Sequence, residues 1–232
     1  AEDIETLRNQ VSAVWESVYE DDGNEISTLA NSLWLQDGLN YNQDTMNNLA
    51  YHYYASVYQC ELGNDGSNKA IGKWLDDNTG GLLKDSTDKI DLSPDTVLAL
   101  YSTLFFQAKW GDEFDAKNNT DGIFHGINGD TSVTYMNKKL CQMYYYWHDD
   151  FSAVGLSLKN GSTMWFILPD EGKTTADILN EGSYGELISS GNTEDGWQNK
   201  KYMKVNLSVP KFDISSTLNL KDGLNRMGVT KV

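Results

Sequence analysis

The sequence predicts one domain of the α+β class, and two patterns lead to this prediction. Apolar residues recur at helical intervals in several separate stretches, whereas most of residues 124–210 consists of short β-compatible runs divided by Asn-Gly and Gly-Asp turns. Helices and strands do not alternate strictly, which favours a mixed arrangement over a doubly wound parallel sheet. Neither repeats nor a linker interrupt residues 1–232, so we expect a single domain.

The first predicted element is an amphipathic helix that ends near residues 21–23. Its apolar residues fall at intervals of three and four residues, on a stripe formed by Ile4, Leu7, Val11, Val14, Trp15 and Val18. We expect this stripe to face a core. The opposite side carries acidic residues and a single Arg8, a charge of the wrong sign for binding heparin or another polyanion.

Strand and helix signals then follow one another. Residues 26–36 are β-compatible, residues 45–55 predict a second helix, and residues 57–61 predict a strand. A third helix is indicated by the helical spacing of its apolar residues, Ala70, Ile71, Trp74 and Leu75. Ser67 is its expected N-cap, and a Thr-Gly-Gly sequence ends it at residues 79–81.

A long apolar run, TVLALYSTLFFQA, follows at residues 96–108. Its length and its content of β-branched and aromatic residues are typical of a strand that is covered on both faces and lies centrally in a sheet. Short strands follow up to residue 210, with one helical stretch near residues 175–188. A last helix is predicted near residues 218–227.

Composition and charge exclude several classes of function. The 232 residues are 39% hydrophobic, which is enough for a sizeable core, and carry a formal net charge of −16. A surface with this charge repels nucleic acid and anionic lipid. The sequence contains no apolar run of the roughly 18–20 residues that span a bilayer. We therefore expect proteins or neutral molecules as partners and no binding to nucleic acid or membrane.

The residues that could bind a metal or form a disulfide are few. Cys60 and Cys141 are the two cysteines, and their spacing resembles neither a zinc site nor a redox motif. Two free buried thiols are favoured over a bridge, although the sequence does not decide whether they pair. None of the three histidines stands in a two-histidine metal spacing. We expect neither a metal nor a cofactor.

Catalytic patterns are equally weak. The chain has no nucleophile elbow, no phosphate-binding loop and no dinucleotide fingerprint. His148, Asp149 and Asp150 could be a base with an orienting carboxylate, but a solvated turn before Phe151 is favoured. Two carboxylates suffice for a glycosidase, yet 34 acidic residues make that signal unspecific. We expect no catalytic residues and no enzyme.

Seven segments nevertheless match, in order, the motifs of one family. Residues 30–34 are similar to ANxLF, and residues 71–81 to INxWVxxxTxGxI. Residues 98–110 are similar to LVLxNAxYFKGxW, with Phe114 and Thr120 in the places of FxxxxT. The later segments are similar to VPMM at 133–136, LPDxG at 168–172, LPKF at 209–212 and LxxLGM at 224–229. Together they resemble the serpins, a family of serine protease inhibitors.

The resemblance rests on eight motif residues and implies a particular fold. These residues are Asn31, Trp74, Thr79, Gly81, Pro169, Pro210, Phe212 and Gly228. The implied serpin fold has three mixed sheets with surrounding helices. By resemblance the chain is a partial domain, which lacks the helices that precede Ile4 and, after Val232, the reactive-centre loop and last strands. The chain departs from the family at Ser102 and Gly72, where serpins usually have Asn.

The resemblance implies inhibition by the suicide-substrate mechanism. A serine or cysteine protease would cleave a loop outside this chain, and the loop would insert into the main sheet. The implied switch residues are Ser102 near the centre of the insertion strand, followed by Phe105, Phe106, Lys109 and Trp110. A monomer that acts outside the cell is expected, and this chain by itself should inhibit nothing. The alternatives are a non-inhibitory serpin scaffold and an unrelated extracellular binding module.

Overall fold

The computed structural model describes residues 3–21, 25–191, 193 and 195–229, with Ser86 described by its backbone alone. The helices are α1 Ile4–Val18, α2 Gln43–Tyr53, α3 Asp65–Asp77, α4 Lys84–Thr87, α5 Thr175–Glu181, α6 Ser183–Ser190 and α7 Lys221–Arg226. The strands are β1 Glu20–Asp21, β2 Ile26–Gln36, β3 Ala55–Cys60, β4 Leu98–Gln107, β5 Thr120–Gly126, β6 Gly129–Trp147, β7 Phe151–Ser157, β8 Thr163–Pro169 and β9 Lys200–Pro210. Helices and sheets are thus mixed along the chain, as predicted for an α+β protein.

The chain divides into two compact units. The first comprises residues 1–111 with 157–162, and the second comprises residues 112–156 with 163–232. The single domain of the sequence analysis stays a prediction.

The sheet of the first unit is built around β2. This strand pairs in antiparallel fashion with β1 and β4 and in parallel fashion with β3. The prediction that β4 is covered on both faces is wrong for the described residues. Alternate side chains of β4 are exposed, namely Leu98, Leu100, Ser102, Leu104 and Phe106. The opposite face is covered, because Ala99 and Tyr101 pack against the buried cluster of Trp34, Leu62 and Ile71.

The core of the first unit lies between its sheet and α3. Trp34, Leu62 and Ile71 are buried there, and the ring of Trp34 stacks on that of Tyr58 at 4.3 Å between centroids. Burial raises the pKa of the Tyr101 hydroxyl, so this phenol stays neutral. The packing explains why the apolar residues of α3 have helical spacing.

The N-cap of α3 is Asn64, and the prediction of Ser67 is wrong. The Asn64 side-chain oxygen accepts a hydrogen bond from the N–H of Ser67 at 2.8 Å, which places Ser67 inside the first turn. The hydroxyl of Ser67 donates to the Asn64 carbonyl oxygen at 3.0 Å. The helix therefore begins at Asp65, two residues before the predicted cap.

Helix α1 ends earlier than predicted and is less buried. It stops at Val18, and the predicted end near residues 21–23 lies partly outside the described residues. No residue of α1 is buried: Leu7 is 44% exposed and Val14 is 55% exposed. Its firmest contact is Trp15, whose ring stacks on Tyr54 at 4.6 Å between centroids. The apolar stripe thus has only partial cover.

The second unit contains a sheet in the order β5-β6-β7-β8, with β9 also paired to β6. Strand β6 is 19 residues long. It pairs first with β5, then with β9, and finally with β7. The described residues thus form two sheets, the four-stranded sheet of the first unit and the five-stranded sheet of the second. The register of β6 shifts between Lys138 and Cys141, where a β-bulge interrupts the pairing with β9.

The core of the second unit lies between this sheet and the helices α5 and α6. Phe151 and Leu187 are completely buried, and Tyr146, Ile178 and Trp197 pack with them. The single helix predicted near residues 175–188 is divided into α5 and α6 by Gly182. Gly182 adopts φ of 89°, a left-handed conformation that ends helices and that glycine adopts without steric cost.

The cysteines and the remaining helices complete the fold. Cys60 and Cys141 are free and partly buried. Burial, together with the charge of Asp37, raises the pKa of the Cys60 thiol, so the unreactive thiol form is favoured. The last helix is α7, shorter than the predicted 218–227. None of the described helices is both long and apolar enough to cross a bilayer.

The N-terminus of α5 provides a pH-dependent test of the fold. The hydroxyl and the N–H of Thr174 donate to Asp177 at 2.7 and 2.8 Å, and these bonds lower the pKa of the Asp177 carboxyl. A carboxyl group whose pKa is lowered by folding stabilises the folded state at every pH above the pKa of an unfolded aspartate, about 4. This stabilisation is lost as the pH falls through the lowered pKa of the folded state. We expect wild type to melt at a higher temperature than Asp177→Asn at pH 7 and the difference to vanish by about pH 2. A difference that did not change with pH would contradict this role.

Candidate functional site

The candidate site is the edge of β4 that faces away from β2. All ten residues of this strand are paired with β2 in antiparallel register, from Leu98 opposite Leu35 to Gln107 opposite Ile26. No other strand in the described part of the chain pairs with β4. Alternate N–H and C=O groups of an unpaired edge point outward and can bond another strand. The first unit therefore presents an edge to which one strand can be added.

Ser102 lies at the middle of this strand, opposite Asn31. The two residues share a face of the sheet, since directly opposed residues point the same way. The Asn31 amide donates to the carbonyl oxygen of Tyr53, the last residue of α2, at 2.8 Å. Ser102 and Asn31 also line an open cavity of about 360 Å³ beneath α1. A side chain larger than serine therefore has room at position 102.

Replacing Ser102 by Asn should slow the opening of the sheet at β4. An amide has two donors and one acceptor where the hydroxyl has one donor, and it would face Asn31. One added hydrogen bond of about 1 kcal/mol corresponds to a roughly fivefold slower unfolding or strand-insertion rate. The rates should be measured by stopped-flow fluorescence in the full natural protein, with Ser102→Ala as the control. Equal rates for wild type and the Asn variant would remove Ser102 from any role in holding the sheet closed.

Phe105 and Phe106 point to opposite faces of β4. Phe105 is half-buried beneath the turn that ends α3, where a Cβ on Gly80 would lie 2.7 Å from its ring. Thr79 holds that turn, because its hydroxyl donates to the Leu75 carbonyl oxygen at 2.7 Å. Phe106 is 48% exposed on the other face. The end of α3 and the carboxyl-terminal part of β4 are thus packed together through one ring.

Gly80 makes a close contact with Phe105 that the sequence did not indicate. It adopts φ of 58°, which side chains other than glycine rarely adopt. Gly81 has φ of 77°, and its N–H donates to the Asp76 carbonyl oxygen at 3.0 Å. The signal in the sequence is the glycine pair, which was interpreted as the end of the helix and, at Gly81, as part of a family motif. Glycine at both positions permits the turn, and at Gly80 it also permits the approach of Phe105.

Lys109 and Trp110 are held by the segment at residues 157–159. Trp110 forms an isolated antiparallel bridge with Leu158. The Lys109 carbonyl oxygen accepts from the N–H of Lys159 at 2.9 Å, and the N–H of Gly111 donates to Ser157 at 2.8 Å. The residues that follow β4 are therefore hydrogen-bonded to the backbone of residues 157–159. Whether these residues act as a switch stays a prediction.

The other motif residues occupy structural positions. Trp74 packs on the first core, Pro169 ends β8, and Pro210 ends β9 opposite Tyr135. Gly228 follows α7 with φ of 90°, the conformation expected of a glycine that ends a helix. Phe212 lies beyond β9 and is 57% exposed. Pro169, Pro210 and Gly228 thus lie at the ends of strands or a helix, whereas Trp74 packs against a core.

Two alternative sites lack the required geometry. The Asp150 carboxylate lies 2.6 Å from the Lys173 ammonium, and the His148 ring stacks on Phe151, so these contacts do not form a base with its orienting carboxylate. Residues 148–151 form a turn, since the His148 N–H donates to the Phe151 carbonyl oxygen at 2.8 Å. Tyr144 and Tyr202 are exposed neighbours, but their planes meet at 69°, so they offer no flat platform for a sugar ring.

Known proteins match this chain in both sequence and structure. The family model Serpin (serine protease inhibitor) matches residues 1–232. Alpha-1-antitrypsin from Meriones unguiculatus is 28% identical over 88% of this chain and 49% of its own length. The latent state of tengpin, a thermophilic serpin, has a TM-score of 0.81 at 21% identity and covers 99% of this chain and 60% of that chain. Emu ovalbumin (Dromaius novaehollandiae) has a TM-score of 0.83 at 16% identity, and the match covers 96% of this chain and 58% of that chain.

The chain belongs to the serpin family, and it has the serpin fold. The prediction made from the seven motifs is therefore confirmed for the family and for the α+β fold class. The chain spans about half the length of the curated relatives it matches. The family is described as one of serine protease inhibitors, which fits the expectation that the chain is not an enzyme.

Proposed function

We propose that the full natural protein containing this chain is a serine protease inhibitor of the suicide-substrate class. In serpins generally, a cleaved reactive loop inserts as a new strand into a β-sheet. The observation that supports the proposal is the edge of β4 that faces away from β2, since no described strand pairs with it. An inserted loop would pair with the N–H and C=O groups of this edge and carry the acyl-linked protease with it.

The switch residues have distinct places in this proposal. Ser102 influences how readily the sheet opens at the centre of β4. Phe105 couples that opening to α3, because its ring lies under Gly80. Lys109 and Trp110 stand at the end of β4 where the loop enters, and Phe106 lines the exposed face. None of these residues forms or breaks a covalent bond, so substitutions should change the rate of insertion and leave cleavage of the loop intact.

A non-inhibitory serpin scaffold is the second candidate. Proteins similar to this chain include both alpha-1-antitrypsin and ovalbumin, so family membership alone does not decide whether a protease is inhibited. The residues at the hinge of the reactive loop distinguish the candidates, because small side chains favour insertion as a strand and proline opposes it.

Incubation with proteases tests the proposed function. The full natural protein is mixed with trypsin, chymotrypsin, elastase, subtilisin and the cysteine protease papain, and the products are separated on a denaturing gel. A band near the summed mass of protein and protease, less the peptide that follows the cleaved bond and leaves as the amine, supports inhibition. It should be absent when the protease's active-site serine or cysteine is blocked beforehand. Cleavage without such a band, for every protease, would favour the non-inhibitory scaffold.

We further propose that the protein acts outside the cell as a monomer and does not bind heparin. The net charge of −16 and the acidic face of α1 support the lack of heparin binding. Sedimentation of the full protein should give the mass of one chain. Retention on a heparin column at low salt would contradict the electrostatic argument.

A further inference from the structure

Gly72 lies near the middle of α3 and contacts the segment that follows this helix, which we call the strap (residues 84–92). A Cβ at Gly72 would lie 3.2 Å from the carbonyl oxygen of Thr87 and 3.6 Å from its Cβ. The first distance is shorter than most Cβ contacts, so a side chain at this position would press on the backbone of the strap. Glycine is a poor helix former, yet Gly72 is buried within α3. The missing side chain thus lets the strap lie directly on the helix.

Hydrogen bonds hold the strap to α3 on both sides of Gly72. The buried hydroxyl of Thr87 donates to a carboxylate oxygen of Asp76 at 3.0 Å. The N–H of Leu92 donates to the side-chain oxygen of Asn68 at 3.3 Å. Asn68 and Asp76 lie four residues before and four residues after Gly72, and residues with this spacing share one face of a helix. The strap therefore follows a single face of α3.

The strap, α3 and β4 also pack against the same buried cluster, which consists of Trp34, Leu62 and Ile71. The residues packed against it are Ile90 and Leu92 of the strap, Trp74 and Leu75 of α3, and Ala99 and Tyr101 of β4. All of these residues belong to the first unit. A strap that moved away from α3 would uncover the cluster on which both the helix and the strand rest.

We infer that Gly72 is a positioning residue, which lets the strap hold α3 against the sheet beside β4. Serpins usually have Asn at this position, and any Cβ here would push the Thr87 carbonyl away from the helix. The strap holds β4 through the shared cluster and through Phe105, whose ring lies under Gly80 at the end of α3. The consequence for loop insertion rests on the proposed function, whereas the restraint on α3 does not.

Two substitutions release the strap in different ways. Gly72→Asn places a side chain between α3 and the strap. Thr87→Val removes the hydrogen bond to Asp76 and keeps a β-branched side chain of similar shape, so it tests the restraint even if Gly72→Asn fails to fold. Gly185→Asn is the matched control, because Gly185 lies within α6 and a Cβ there would meet no atom within 4 Å.

Hydrogen exchange in the full natural protein tests the restraint. In Gly72→Asn and in Thr87→Val, we expect exchange about tenfold faster at the amides of Ile90 and Leu92 and in residues 71–75 of α3. Gly185→Asn should match wild type in both segments. Faster exchange in the strap with unchanged exchange in α3 would overturn the inference, since the strap would then not hold the helix. Unchanged exchange in both segments would overturn it as well.

The double variant distinguishes one shared restraint from two separate contacts. Because both substitutions release the same strap, exchange in α3 of the double variant should be little faster than in either single variant. An acceleration equal to the product of the two single effects would mean that Gly72 and Thr87 act independently, and it would contradict the inference.

Insertion kinetics test the consequence for inhibition. If the full protein forms a covalent protease complex, the rate constant of loop insertion should rise about tenfold in Gly72→Asn, and cleavage of the loop should keep its wild-type rate. An unchanged insertion rate despite faster exchange in α3 would refute this consequence. A wild-type protein that complexes no protease would refute the proposed function alone, because hydrogen exchange measures the restraint without any protease.

Discussion

Replacement of Phe151 by Ala should lower the free energy of unfolding by about 3–5 kcal/mol, the range for truncating a buried aromatic residue. Phe151 is completely buried and packs with Leu187 and Trp197 in the core of the second unit. Its ring also stacks on His148 at 5.2 Å between centroids. The truncation removes apolar burial and leaves a cavity that the sheet and helices can only partly fill. The measurement is the shift of the denaturant midpoint at constant m-value.

An exposed apolar residue is the control for this prediction. Ile127 lies at the tip of the β5–β6 hairpin and is 97% exposed, so Ile127→Ala should change stability by no more than about 0.5 kcal/mol. Comparable losses from the two substitutions would show that Phe151 does not occupy the core. A reduced m-value in Phe151→Ala would indicate instead that unfolding is no longer two-state.

The second large effect is expected at Gly63, where replacement by Ala should lower the free energy of unfolding by about 2–5 kcal/mol. Gly63 has φ of 80°, and a Cβ there would lie 2.6 Å from the backbone of Pro94 and Ser93. The left-handed conformation costs an L-residue roughly 1–2 kcal/mol, and forcing the backbone apart typically adds about 1–3 kcal/mol. Pro94 has little freedom to move, because its ring fixes φ.

Gly38 separates the two contributions at Gly63. It has nearly the same φ, 77°, but a Cβ there would meet no atom within 4 Å. Gly38→Ala should therefore show only the conformational cost, about 1–2 kcal/mol. Equal losses at both positions would mean that the contact with Pro94 relaxes without cost. The comparison is made by denaturant titration of the two variants under the same conditions.

Local patterns predicted most helices and strands, but they did not predict what covers them. Helix α3 and strand β4 were both predicted from apolar spacing or composition. The cap at Asn64 was missed because Ser67 is an equally good cap by residue type, and only the backbone geometry chooses between them. The exposed face of β4 was missed for a different reason. An apolar run indicates that a strand is built to be covered, but it does not say which segment covers it.

The candidate site shows the same limit. The motif similarity located Ser102 and Phe105 on one strand and Trp110 just after it, and the structure gives each of them a definite neighbour. Lys138 of β6, whose ammonium pairs with the Asp112 carboxylate, carries no motif, since one lysine in a strand is usually a solvated side chain. Its partner Asp112 lies 26 residues away, and only the fold brings the two together. Long-range polar contacts of this kind leave no periodic signal in a sequence.

The register of the two sheets also has a consequence for how the chain folds. The Thr103 hydroxyl donates to the Ala30 carbonyl oxygen across 73 residues of sequence, and Leu140 of β6 meets Asn206 of β9 across 66 residues. Pairings between such distant segments require large loops to close first, which places a protein among the slow folders. Until β2 and β4 meet, both would expose bare strand edges, and such intermediates aggregate readily. Folding yield should therefore depend strongly on protein concentration.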